Sequence, residues 1–90
     1  MMYPFMTLDD NTEVVHSEMM KDGRVKVYFE RPDPMDCFHS AVCYLPGYEW
    51  TDINGFSEQE LKRYNELVES TAHLILQFAK DGGVDSAANF

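Results

Sequence analysis

The chain has 90 residues, 7 of them basic and 16 acidic, giving a net charge of −9 with the histidines neutral. That length suits one small domain over residues 1–90, and that charge excludes nucleic-acid or anionic-membrane binding through a general basic surface. With 44% hydrophobic and 13% aromatic residues, there is enough apolar surface for a core, which excludes a disordered chain.

No apolar run approaches the length of a membrane span. The start, Met1-Met2-Tyr3-Pro4-Phe5-Met6, has no basic stretch before its apolar residues, and Asp9 and Asp10 follow soon after. A secretory signal is therefore not expected. The two cysteines then read as reduced thiols in a cytoplasmic protein. Residues 1–4 and 84–90 are expected to be flexible ends.

Residues 5–8 read as a short extra strand turning at Asp9-Asp10-Asn11. Residues 12–20 and 24–31 are β-prone on either side of Lys21-Asp22-Gly23, a hairpin signal. Two registers compete for this hairpin. A two-residue Asp22-Gly23 loop would bury Glu18 unpaired, at a cost of several kcal/mol. A three-residue loop with Gly23 left-handed pairs Met20 with Arg24 and puts Val15, Ser17 and Met19 on the core face. Glu18 then opposes Lys26 outside, a pair contributing roughly 0.2–1 kcal/mol. The three-residue loop is the expectation.

A turn is expected over Pro32-Asp33-Pro34-Met35-Asp36, then a strand over residues 38–45, ended by Pro46-Gly47. The pattern leaves open which face of that strand is buried. Residues 48–55 read as a loop holding Trp50 and Ile53. The helix of residues 58–80 carries the strongest signals. Ser57 and Glu60 have capping-box spacing, with Phe56 and Leu61 as the staple. Leu61, Tyr64, Val68, Ala72, Ile75 and Ala79 form an apolar stripe, and Gly82-Gly83 provides a stop. The expected fold is α+β: three or four antiparallel strands in a meander, with one long helix across one face in two layers.

Chemistry-bearing residues are sparse. Cys37 and Cys43 on one strand would lie about 20 Å apart, too far for a disulfide or a shared zinc ion. No metal and no cofactor is expected. Cys37 and His39 share a strand face and are the weak catalytic candidates, since a neighbouring histidine can lower a thiol pKa. The expected outer sheet face shows Val14, His16, Tyr28, Phe38 and Tyr44, with Met35, Tyr48 and Trp50 extending it. Exposed aromatic residues beside strong charge favour protein binding, and the candidate binding residues are His16, Glu18, Tyr28, Glu30, Tyr44 and Trp50.

Leu45-Pro46-Gly47, followed by Gly55-Phe56-Ser57-Glu58-Gln59-Glu60-Leu61 at a helix start, resembles the end of the sheet-and-helix module of HicB-like antitoxins. The likeness is confined to residues 45–61. It implies a hairpin leading through the Leu-Pro-Gly segment into a capped helix; the chain is not assigned to the family.

The expected function is a non-enzymatic protein-interaction module, in its sharpest form an inhibitor or antitoxin-like partner masking a basic site. Homo-oligomerisation is compatible with it. The alternative is a small enzyme or ligand-binding domain using Cys37 and His39.

Overall fold

The computed structural model describes residues 2–33, 35 and 37–80, with Cys37 by its backbone alone. Five strands, β1 (Met2–Thr7), β2 (Glu13–Ser17), β3 (Val25–Asp33), β4 (Cys37–Leu45) and β5 (Glu49–Asn54), precede one helix, α1 (Glu58–Lys80). The strands form one sheet in chain order, and every neighbouring pair is antiparallel. The α+β meander with a helix across it is as expected, with one strand more than the expected maximum.

Alternation builds the inner face. Val14, Val25, Val27, Phe29, Ala41, Cys43 and Leu45 are buried, together with Tyr64, Val68, Ala72, Ile75 and Ala79 of α1. Fully burying a side chain such as Phe29 or Ile75 contributes about 1.5–3 kcal/mol, so this layer supplies the main driving force. Tyr64 stacks on Phe29 at 5.0 Å between ring centroids, and Phe56 meets Tyr64 edge-on at 5.2 Å. The helix start follows its expected chemistry. Ser57 N–H donates to Glu60 Oε1 (3.0 Å) and Glu60 N–H donates to Ser57 Oγ (3.1 Å), closing the capping box. The expected glycine stop and the 84–90 tail lie outside the described residues.

The hairpin is right at its tip and shifted in its arms. Gly23 is left-handed (φ 85°). Its N–H donates to the Met20 carbonyl at 2.9 Å, and Met20 N–H donates to the Arg24 carbonyl at 2.8 Å, which is the three-residue loop. Farther along, however, Val14 pairs with Phe29 and His16 with Val27. The first arm therefore holds one extra residue between His16 and Met20. Such an insertion flips every side chain beyond it to the opposite face. Val14 and His16 turn inward, Val15 and Ser17 outward, and Met19 is exposed. Ser17, not Glu18, meets Lys26: its Oγ accepts the Lys26 N–H at 2.9 Å. Glu18 instead accepts the Tyr3 hydroxyl at 2.8 Å.

Three further expectations are corrected. Residues 2–4 are not a loose end but part of β1, held by the pairing of Met2, Tyr3 and Pro4 with Ser17, His16 and Val15. β3 runs through Pro32 to Asp33, paired with Phe38 and Cys37. Pro32 falls beyond Glu30, the last β3 residue paired to β2, where one side of the strand is open and a missing N–H is tolerated. Residues 49–54 are the edge strand β5 rather than a loop. Its ladder is interrupted opposite Ser40 and Val42, and Asp52 is left-handed (φ 51°).

Candidate functional site

With α1 on the inner face, the described residues place no second layer on the outer one. Register partners align there in rows. Pro4, Val15, Tyr28, Val42 and Thr51 cross all five strands in succession, a largely apolar row with Tyr28 at its centre and Val42 buried among its neighbours. Beside it, Glu13 pairs with Glu30 and Glu30 with Ser40. On the other side Lys26 pairs with Tyr44, and the Arg24 guanidinium lies over the Tyr44 ring, 4.7 Å from its centroid. The face is therefore apolar along its middle, acidic on one flank and of mixed charge on the other, where Tyr44 also pairs with Glu49 and Arg24 meets Asp22 at 2.7 Å. Phe38, 55% exposed, extends it beyond Pro32, its partner on β3.

The acidic flank is electrostatically unfavourable. Side chains directly opposite across an antiparallel pair have Cβ atoms about 5 Å apart, where like charges repel. Among the described residues neither Glu13 nor Glu30 forms an ion pair; the Tyr28 hydroxyl donates to Glu30 Oε2 at 3.1 Å. Burial pushes the Tyr28 hydroxyl pKa up, and the Glu30 carboxylate adds to the rise. Met2, Glu13, Val15, Tyr28 and Glu30 line a groove of about 260 Å³.

A second polar cluster ties the helix start to the sheet. Arg31 NH1 reaches Glu60 Oε2 at 2.7 Å and Asp10 Oδ2 at 3.1 Å. Arg31 NH2 lies 3.0 Å from His39 Nδ1, and Asp33 Oδ2 stands 3.1 Å from His39 Nε2. Asp10 Oδ2 also accepts the Tyr64 hydroxyl at 2.8 Å, and Oδ1 accepts Thr12 N–H at 3.0 Å. Burial alone would raise the Asp10 carboxyl; hydrogen bonds from Thr12 and Tyr64 and the Arg31 charge overcome it and hold it at about 2. The cluster joins the β1–β2 turn, β3, β4 and the start of α1. A guanidinium only donates, so His39 Nδ1 accepts and its lone pair is occupied. The Cys37 side chain lies outside the described residues. Burial pushes the Cys43 thiol up to about 12, making it a core residue rather than a nucleophile.

The structure thus gathers only part of the expected binding set. Tyr28, Glu30 and Tyr44 share the outer face. Glu18 is exposed but engaged with Tyr3. Trp50 lies on the inner side, 5.3 Å from Phe29 between ring centroids, with its indole N–H donating to Asn65 Oδ1 at 2.9 Å. His16 is fully buried. Its Nδ1 lies 2.9 Å from the Ser17 carbonyl, which can only accept, so Nδ1 donates and Nε2 is a buried acceptor with no partner among the described residues. Sequence reasoning missed Glu13 and Val15 because the extra hairpin residue reverses the alternation of β2, and Met2 because residues 1–4 read as a loose end rather than as the start of β1. Reading Val14 and His16 as the inward pair would have exposed all of this flank.

Among the described residues no group of histidine, cysteine, aspartate and glutamate side chains is placed to hold a metal ion, and no helix is long and apolar enough to cross a membrane. No family model, curated protein or solved structure matches this chain. The segment linking the two parts of the antitoxin resemblance is strand β5.

Proposed function

We propose that this chain is a non-catalytic protein-binding module of the cytoplasm, and that its partner is a basic protein met by the outer sheet face. One observation carries the reading: a five-stranded face that no other described residues cover, whose central apolar row is flanked by the Glu13–Glu30 pair, which none of the described residues neutralises. Aromatic and aliphatic side chains on such a face give contact area. A charge of −9 gives steering toward a basic surface. Masking a basic nucleic-acid-binding site is the sharpest form of this activity, because the same carboxylates would compete there with phosphates.

The test compares capture of partners by the wild-type chain, by an outer-face variant (Val15→Asp with Tyr28→Ala) and by a helix variant (Glu66→Lys with Glu69→Lys). The reading expects a basic, stoichiometric partner that is lost from the outer-face variant and kept by the helix variant. A partner kept by the outer-face variant and lost from the helix variant would overturn it.

A further inference from the structure

We propose that the groove beside Tyr28 is an anchor subsite for one arginine side chain of the partner. The inference rests on the protein-binding reading above and specifies what the partner must present. The groove is built on the open sheet face and has three kinds of wall. Met2 and Val15 are apolar, Tyr28 offers an aromatic ring, and Glu13 and Glu30 stand opposite one another at the rim. Its volume of about 260 Å³ suits a single long side chain rather than a secondary-structure element.

The chemistry selects the occupant. An aliphatic stem lies along Met2 and Val15 with its charged head outside. A planar cation stacks on Tyr28. Two carboxylates on adjacent strands demand a cation that bridges them, and the Tyr28 hydroxyl occupies just one Glu30 oxygen. A guanidinium carries five N–H donors in a fixed fork and can satisfy both carboxylates while stacking, whereas an ammonium acts as a compact point charge. A second copy of the same acidic chain is a poor occupant, since it brings further negative charge to a flank that already repels itself. The nearby cations Arg24 and Lys26 lie on the other side of Tyr28 along β3, and Arg24 is engaged with Asp22 at 2.7 Å.

The experiment is an amide NMR titration of the whole chain with acetyl-arginine amide, and in parallel with acetyl-lysine amide. Saturable shifts are expected at Glu13, Val15, Tyr28 and Glu30, with arginine binding several-fold more tightly than lysine. The Glu13→Gln, Glu30→Gln double variant should lose about tenfold in affinity or more while keeping its fold, since it removes a repulsion. No saturable shift, equal affinity for both amides, or equal shifts around Glu66 and Glu69 would overturn the subsite. The subsite and the protein-binding reading fail separately. A basic partner weakened by Phe38→Ala and Tyr44→Ala but not by the double variant would remove the arginine anchor and leave the module. A groove that saturates with acetyl-arginine amide while outer-face variants bind the partner unchanged would do the reverse.

Discussion

Glu13 and Glu30 are direct cross-strand partners on the open face of the sheet, two carboxylates set where their charges repel. No cation among the described residues neutralises them. A surface kept this way sacrifices some stability, and the loss is measurable. Glu13→Gln should raise unfolding free energy by about 0.2–1 kcal/mol, seen as a higher denaturant midpoint with an unchanged slope. Raising the salt concentration should shrink the gain, because exposed charges are screened. A destabilised Glu13→Gln chain would mean that Glu13 makes a favourable contact instead.

The helix start provides a graded pair of variants. Ser57→Ala removes the cap and should cost about 1 kcal/mol. Glu60 has two duties, because Oε1 accepts the Ser57 N–H while Oε2 meets Arg31 at 2.7 Å. Glu60→Ala should therefore cost more than Ser57→Ala in the same equilibrium unfolding experiment, by roughly a further 1 kcal/mol. Equal losses would show that the Arg31 contact adds no stability.

Two left-handed glycines should respond differently to alanine. Gly23, at φ 85°, has open space where a Cβ would stand, whereas at Gly55, φ 87°, a Cβ would lie 2.5 Å from the His39 ring. Gly23→Ala has only the backbone strain, about 1 kcal/mol. Gly55→Ala adds displacement of a ring packed edge-on against Phe56 at 5.6 Å and should cost about 2–4 kcal/mol. Comparable losses at the two positions would show that His39 yields freely.

Acid should undo the Asp10 cluster. Its carboxyl is lowered from 3.8 to about 2. Burial opposes ionisation of Glu60, but the Ser57 hydrogen bond and Arg31 bring its pKa below 4.5. Both folded-state values are depressed, so the stability they contribute is complete above the ordinary carboxyl range and is lost as pH falls toward about 2. Unfolding free energy measured down a pH series should drop across that window in the wild type and less steeply in Asp10→Asn. Parallel pH profiles would contradict the assignment.

Much of the fold could be read directly because local chemistry and tertiary packing agree. At α1, cap, stripe and dipole charges all favour the same 23-residue element. At Gly23 the turn type demands a residue tolerant of positive φ. The arms of the hairpin depart from the sequence pattern because side-chain energetics alone favour a regular ladder, whereas one inserted residue between His16 and Met20 reverses the alternation. The inward Val14 is buried by that reversal, and so is His16, which sits 5.8 Å from the Tyr3 ring and 6.4 Å from the Phe5 ring. β5 was hidden because Trp50 looks inward while the rest of the strand is exposed, leaving no two-fold alternation to detect. The Arg31 cluster joins residues from Asp10 to Glu60, and no local pattern announces so distant a meeting. Tyr28 and Glu30 are legible as surface residues from β3 alone; their partners Val15 and Glu13 require the register.

The most direct measurement of the central claim is the kinetics of a purified basic partner with wild-type chain, Tyr28→Ala, and Glu13→Gln with Glu30→Gln. It should be run at low salt and again at several-fold higher salt. The account predicts an association rate that falls about tenfold or more with salt, a smaller salt effect in the double glutamine variant, and a faster dissociation rate for Tyr28→Ala. Association indifferent to salt, with both variants matching the wild type in both rates, would contradict it.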